Sequence, residues 1–237
     1  MHLLEQGLHV KALVRNPEKA QPLAALGVEL VAGDLHNGAA LRQLTTGCQA
    51  VVHGAGAVRG NSQAAFDQVN VAGCAALIDA VTVQPEPPRL IMLSSLAARE
   101  PQLSWYAHSK REGEKLLEQQ PGLDWVILRP PPVYGPGDKE MLPVFRAMAR
   151  GVATVPGSPA ARMSLIHVSD LVSAITACLH SPDAKHQVLP LCDGKINGYN
   201  WREMADTAAL TWSRKVRLWT VPHWLLNSVA TVNSALA

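Results

Sequence analysis

The chain has 237 residues, 48% hydrophobic and 17% charged, with a formal net charge of +2. That balance belongs to a globular protein with a substantial core, long enough for one large α/β domain or a domain plus a small lobe. With no block of like charges, nucleic acid is not an expected partner, and the overall basic excess is too small to argue for an anionic membrane.

The N-terminal stretch Met1–Val14 carries Glu5, His9 and Lys11 and does not resemble a signal peptide. Leu8–Val14 reads as a strand, followed by a helix over Pro17–Leu26 with proline in its first turn. Val28–Val31 is the next strand, ending in Gly33-Asp34-Leu35. After a short helix, Ala50–His53 is an apolar strand that opens into Gly54-Ala55-Gly56. A long helix is predicted from about Gln63 to Val81, a buried strand at Arg89–Leu93 ending in Ser94-Ser95, and a helix from near Trp105 to Gln119. Asp124–Leu128 is a further strand, stopped by Arg129-Pro130-Pro131-Pro132. Strands alternating with helices over short connections predict a parallel sheet covered on both faces.

Beyond that point the rhythm changes. Helices are predicted at Lys139–Arg150 and Val168–His180, then a weaker strand-and-helix region. Residues 1–132 are expected to form a dinucleotide-binding domain and residues 133–237 mainly a substrate-binding lobe, partly packed on the sheet. Leu218–Ala237 is the most apolar stretch, but Pro222, His223, Asn227 and Asn233 break it. An integral membrane span is not expected there. An amphipathic core helix from about Trp224 is, with peripheral membrane contact as the alternative.

A doubly wound sheet opens with a strand and a glycine-rich turn that cradles a pyrophosphate on backbone N–H groups. Here Met1–Gly7 reads as the last turns of the first helix, so that strand and turn are expected to be missing. Two strand edges would then lack partners, and the chain would hold a dinucleotide poorly. Gly54–Gly60 has the spacing G-x-G-x-x-x-G after a later strand and is not that fingerprint.

The sharpest constellation is Ser95, Tyr106 and Lys110. The i, i+4 spacing puts phenol and ammonium on one helix face. A phenol titrates at about 10 and is a poor acid–base group at neutral pH. A neighbouring ammonium favours the phenolate, which proton exchange with an alcohol or ketone requires. Ser95, at a strand end, could hold the substrate oxygen, with Ser94 as the fallback.

These motifs appear in one order: Val51-Val52-His53-Gly54-Ala55-Gly56, Phe66 with Asn70-Val71-Ala72-Gly73, Leu93-Ser94-Ser95, Tyr106-x-x-x-Lys110, Arg129–Asp138, and Ile166–Leu171. Over about residues 1 to 210 the chain resembles the extended short-chain dehydrogenase/reductases, the NAD-dependent epimerase/dehydratase group. In motif style it is nearest to dihydroflavonol reductases and 3β-hydroxysteroid dehydrogenases. The resemblance implies a Rossmann-like doubly wound α/β fold lacking its first strand, with a small C-terminal lobe. It implies Tyr106 as acid/base, Lys110 as the group that lowers its pKa and binds the nicotinamide ribose, and Ser95 as donor to the substrate oxygen. Asp34 and Leu35 would meet the adenine, Ala55 and Gly56 would let backbone approach the cofactor, and Pro130 and Val133 would border the nicotinamide. Asn70 would be more structural than catalytic.

An acidic residue after the second strand would favour NAD; Val14-Arg15-Asn16 has none, and Arg15 favours NADP over NAD. The Ser95–Tyr106 separation is short for the family, so a tight intervening loop is expected. The function implied is an NAD(P)-dependent oxidoreductase acting on an alcohol or ketone of a small, apolar substrate. A nucleotide-sugar epimerase or dehydratase with bound NAD is one alternative, and a non-catalytic cofactor-sensing member another. Met141, Leu142, Phe145 and Met148 are read as core rather than pocket. His167 and Asp170 suggest a dyad, though a structural role for Asp170 at a helix N-terminus is the preferred reading; His53 reads as core. Cys48, Cys74, Cys178 and Cys192 lie far apart without metal-ligand spacing, and free thiols in a cytoplasmic setting are expected. A homodimer is expected by analogy.

Overall fold

A computed structural model describes residues 1–221. In chain order its elements are α1 (His2–Glu5), β1 (Lys11–Val14), α2 (Gln21–Ala24), β2 (Glu29–Ala32), α3 (Gly38–Thr45), β3 (Ala50–His53), α4 (Gln63–Asp67), α5 (Gly73–Thr82), β4 (Arg89–Leu93), α6 (Trp105–Glu118) and β5 (Trp125–Arg129). There follow β6 (Val133–Tyr134), α7 (Leu142–Ala149), β7 (Val152–Pro156), β8 (Arg162–Met163), β9 (Ile166–His167), α8 (Val168–His180), β10 (Gln187–Pro190), β11 (Tyr199–Asn200), α9 (Trp201–Trp212) and β12 (Arg217–Val221). The expected C-terminal helix from Trp224 lies outside the described residues.

The chain divides into two compact units. The first comprises Met1–Arg129 and Val172–Leu189, the second Pro130–Leu171 and the described residues from Pro190 onward.

In the first unit β3, β4 and β5 pair in parallel, with β10 hydrogen-bonded beyond β5. The apolar runs that predicted β4 and β5 explain their place at the centre. Leu90, Ile91, Met92, Val126, Ile127 and Leu128 are each no more than 1% exposed, and burying one such side chain contributes about 1.5–3 kcal/mol. Residues 63–82 run as one helical stretch through α4, a π-helical segment at Gln68–Ala72, and α5. By length and composition this stretch could cross a membrane, but Phe66, Cys74, Leu77, Ile78 and Val81 are buried in the unit's core. All four cysteines are free.

The β1–β2 pair is also parallel, yet it stands apart from the four-stranded sheet. Among the described residues β1 pairs only with β2, and β3 only with β4, so each keeps an unpaired edge there, as expected. Both edges line one cavity of about 870 Å³, together with Leu3, Leu41 and Leu77.

Element ends differ from the sequence reading in two places here. The strand expected from Leu8 is laddered only over Lys11–Val14, because its one partner is the four-residue β2. The helix expected over Pro17–Leu26 shrinks to Gln21–Ala24. Asn16 Oδ1 accepts from the Lys19 N–H and folds the preceding residues into a turn, and Gly27, at φ +92°, ends the helix quickly.

In the second unit β6 pairs with β9 and β7 with β12, both in parallel, while β8 and β11 are antiparallel. Met148, Ala153, Val155, Leu165, Trp201 and Met204 form its core, with Met141 and Phe145 packed against them. Helix α7 starts at Leu142 rather than Lys139, because the Asp138 carboxylate accepts from the N–H groups of Glu140 and Met141 and holds them in a turn. Asn200 and Glu203 form a reciprocal capping box that starts α9.

Candidate active site

Parallel register puts strand ends level with one another. His53 is paired with Met92 and Leu93 with Leu128, so Gly54-Ala55-Gly56, Ser94-Ser95 and the chain beyond Arg129 all leave the sheet at its C-terminal edge. Val14 is paired with Ala32, so Arg15 and Asp34 likewise follow the C-terminal ends of β1 and β2. Both are exposed. Asp34 Oδ1 accepts from the His36 N–H, while Leu35 turns inward, its side chain packed on the core.

The short run from Ser95 to Tyr106 is filled by two 3-10 turns, Leu96–Arg99 and Pro101–Leu103, the tight loop expected. Ser104 then caps α6, its hydroxyl accepting from the Ala107 N–H, which fixes Tyr106 in the first turn. The half-buried Tyr106 ring meets Phe66 edge-on at 6.2 Å between centroids. One turn on, Lys110 is 5% exposed and its Nζ donates to the Leu93 carbonyl at the end of β4, 2.7 Å away. Burial lowers the Lys110 pKa, against smaller opposing effects of Cys74 and Glu114. Ser95 Oγ accepts from the Ala97 N–H at 3.2 Å, leaving its own O–H free to donate.

Asn70 holds the loop after β3 in place. Its Oδ1 accepts from the Ala57 N–H at 2.8 Å, and its Nδ2 donates to the Ala57 carbonyl and to Ser109 Oγ. Ser109 Oγ in turn donates to the Tyr106 carbonyl. The side chain thus ties the Gly54–Gly60 loop to the first turns of α6, from the π-helical segment where the regular ladder is interrupted. A Cβ on Gly56 would lie 3.1 Å from Asn70 Oδ1 and 3.6 Å from Lys110 Nζ. Glycine there leaves the backbone open beside the buried ammonium. Asn70→Ala would leave buried partners unmatched and is expected to lower the unfolding free energy by roughly 2–4 kcal/mol. Urea denaturation measures this, and amide exchange should quicken first at Ala57.

His53 is 4% exposed, and burial, with the Lys110 charge, pushes its pKa down to about 4. An unfolded histidine titrates at about 6.5, so between these values the unfolded chain binds more protons. Stability is therefore lost as pH falls from about 6.5 toward 4, by up to about 3 kcal/mol. Above that window His53 contributes no pH dependence. Urea midpoints at pH 7 and 4.5 should show the fall, and His53→Gln should flatten it.

The sequence reading passed over Glu114. Its side chain is fully buried; Arg129 Nε and Nη2 donate to it at 2.9 and 2.5 Å, and Arg111 Nη1 at 3.0 Å. Burial pushes its pKa up, but the hydrogen bonds and charge of Arg129 and the Arg111 hydrogen bond outweigh this and leave it below the ordinary carboxylate value. Ser94 Oγ is buried with no hydrogen-bond partner among the described residues, whereas Ser95 has a free O–H. One signal could have found Glu114. It follows Tyr106 and Lys110 at the same four-residue spacing, on their helix face.

Pro130 and Val133 belong to the second unit, where Val133 is paired with Ile166. His167 and Asp170 form no direct pair there. Ser169 Oγ bridges them, 2.7 Å from His167 Nδ1 and donating to Asp170 Oδ1 at 3.2 Å. Asp170 stands in the first turn of α8, where a carboxylate suits the helix dipole.

Residues 1–182 match the NAD(P)H-binding family. The chain belongs to the NAD(P)-binding short-chain dehydrogenase/reductases. A ceramide reductase from Caulobacter vibrioides (strain NA1000 / CB15N) is 36% identical over 221 residues, 93% of this chain and 68% of that protein. A 4-hydroxy-2-methyl-3-oxo-4-farnesyl-3,4-dihydroquinoline-1-oxide ketoreductase from Stigmatella aurantiaca is 29% identical over 160 residues, 60% of this chain and 48% of that protein. Among solved structures, the UDP-glucuronic acid 4-epimerase from Bacillus cereus, in complex with NAD, superposes with a TM-score of 0.77 at 17% identity, over 92% of this chain and 81% of that one. The Rossmann-type α/β fold and the likeness to the epimerase/dehydratase group stand as expected.

A nicotinamide dinucleotide is this family's cofactor, and the short-chain dehydrogenase/reductase here has residues that suit part of it. The open backbone at Gly54–Gly56 beside Lys110, and Asp34 after β2, fit a nucleotide lying along the strand ends. Among the described residues no glycine-rich turn joins a strand to a helix ahead of β1, so a diphosphate finds no such cradle there.

Proposed function

We propose that this protein is an NAD(P)-dependent reductase of the extended type, interconverting a ketone and an alcohol on an apolar substrate, with NADP(H) preferred. The observation that carries the reading is the placement of Lys110. Its buried ammonium is anchored to the strand-end carbonyl of Leu93, one helical turn from Tyr106. When bound, the reduced cofactor supplies a hydride to the carbonyl carbon. Tyr106 Oη gives its proton to the carbonyl oxygen, and the Ser95 hydroxyl donates a hydrogen bond to the same oxygen as negative charge develops. The Lys110 charge stabilises the phenolate that remains until solvent restores the proton. Lys110 also binds the nicotinamide ribose, with Pro130 and Val133 bordering the ring and residues 133–237 forming most of the substrate lobe. Asp34 and Leu35 meet the adenine, and Ala55 and Gly56 give the cofactor backbone to lie against.

Arg15, exposed after β1 with no acid beside it, supports a 2′-phosphate. An apolar substrate is supported by the two reductase relatives, one named for a ceramide and one for a farnesyl-bearing quinoline oxide. With no glycine-rich cradle ahead of β1 among the described residues, these hold the diphosphate weakly. The setting proposed is cytoplasmic.

The test is consumption of reduced nicotinamide with a detergent-dispersed long-chain ketone. Oxidation of NADPH faster than NADH is expected. Indifference to every ketone, with a melting shift on adding UDP-glucose and NAD, would replace this reading with that of a nucleotide-sugar epimerase.

A further inference from the structure

The second unit carries a sheet face that no described element covers. In the β7–β12 ribbon Ala153 and Val155 are buried and Leu218 packs against the same core. Strand alternation sends Val152, Thr154 and Pro156 of β7 to the opposite face, and the parallel register pairs them with Arg217, Trp219 and Val221. That face is largely open: Val152 is 39% and Trp219 66% exposed. The helix leading into β12 ends in the same style, with Leu210 84% and Trp212 43% exposed.

Charge in this region has one sign. Arg214, Lys215 and Arg217 are exposed and pair with no acid among the described residues. After Asp206 the sequence contains no Asp or Glu at all, and it continues from β12 as Val-Pro-His-Trp-Leu-Leu. Exposed tryptophan and leucine interleaved with unpaired cations are poorly matched to bulk water. They suit an interface with an apolar interior and an anionic surface, where indole rings sit at headgroup level and basic side chains snorkel to phosphates.

We propose that the outer face of the β7–β12 ribbon, with Trp212, Arg214 and Lys215, is a docking surface for an anionic lipid bilayer. Trp219 and Val152 enter the headgroup boundary, and Arg214, Lys215 and Arg217 meet the lipid phosphates. The proposal goes beyond the oxidoreductase reading and stands without it, although a bilayer would be a natural source of an apolar ketone.

The test is co-sedimentation of the whole chain with vesicles of phosphatidylcholine alone and of phosphatidylcholine with about one third phosphatidylglycerol, whose surface potential is negative. Binding is expected to the anionic vesicles only, and to weaken with salt. Substituting Arg214, Lys215 and Arg217 together by Gln should weaken it on the order of 100-fold, and Trp219→Ser by about tenfold. All four sites are exposed, so both variants should keep the parent melting temperature. Equal partition of parent and triple variant overturns the proposal. So does a dimer in sedimentation that Trp219→Ser dissolves, which would make the face a contact between copies. Ketone reduction in detergent is measured separately. A chain that sediments with vesicles but reduces nothing contradicts only the reductase reading, and one that reduces ketones but ignores vesicles contradicts only this proposal.

Discussion

Tyr106→Phe is expected to lower kcat by about 10²–10⁴-fold, the usual contribution of a positioned acid–base group, with little change in stability. The ring contact with Phe66 survives the substitution, so the folded protein loses a hydroxyl and little else. KM should move far less than kcat, because the proton is needed only as charge develops on the substrate oxygen. Lys110→Met should resemble it in kcat but also weaken cofactor binding and stability, since it removes a buried ammonium and its bond to the Leu93 carbonyl. Lys110→Arg should not rescue, because a planar guanidinium cannot replace a compact ammonium in a site only 5% exposed. Steady-state kinetics with circular dichroism of each variant checks all three. A Tyr106→Phe enzyme at parental kcat would remove Tyr106 from the chemistry.

Glu114→Ala is expected to cost about 3–5 kcal/mol of stability, the usual effect of breaking a buried ion pair from one side. Glu114 is fully buried, while Arg129 and Arg111 are 18% and 25% exposed in their side chains. Removing the carboxylate leaves the largely buried Arg129 without its acid, while Arg111 keeps its pair with Glu118. A double variant, Glu114→Gln with Arg129→Met, should recover much of the loss, because no lone buried charge remains. The pH dependence has a definite sign. The folded pKa of Glu114 lies below its unfolded value, so its stabilisation is complete above the unfolded carboxylate value of about 4.3 and disappears as pH falls through the folded pKa. Urea denaturation of parent and variants between pH 7 and 3 measures both effects.

Elements made of unbroken apolar runs were legible in the chain. β3 and β4 fall on the expected residues, Ala50–His53 and Arg89–Leu93, because apolar side chains on both faces of a strand have nowhere to go but the sheet interior. Helices α6 and α8 likewise fall where expected, from Trp105 onward and over Val168–His180. The ends of β1 and α2 were not, because they depend on a partner strand and on a side-chain turn at Asn16 that no local pattern announces.

The candidate site divides in the same way. Tyr106 and Lys110 were visible because their spacing is tied to helix geometry, and Ser95 because it follows an apolar strand. The roles of Ser109 and Glu114 were hidden, since a polar residue on a helix reads as solvated until the strand that covers it is known. His53 was read as core, and the structure adds that burial keeps it neutral at neutral pH. Net charge averages over the chain. A value of +2 over the whole chain conceals an acid-free stretch after Asp206 that carries three exposed cations.

The central claim is hydride transfer to a ketone, and isotope tracing tests it most directly. The protein is supplied with NADPH deuterated at C4 of the nicotinamide and an apolar ketone, and the product is read by mass spectrometry. One deuterium is expected on the carbinol carbon of the released alcohol, with stoichiometric oxidised cofactor. Deuterium that stays with the cofactor while no alcohol forms, for every ketone offered, would contradict it.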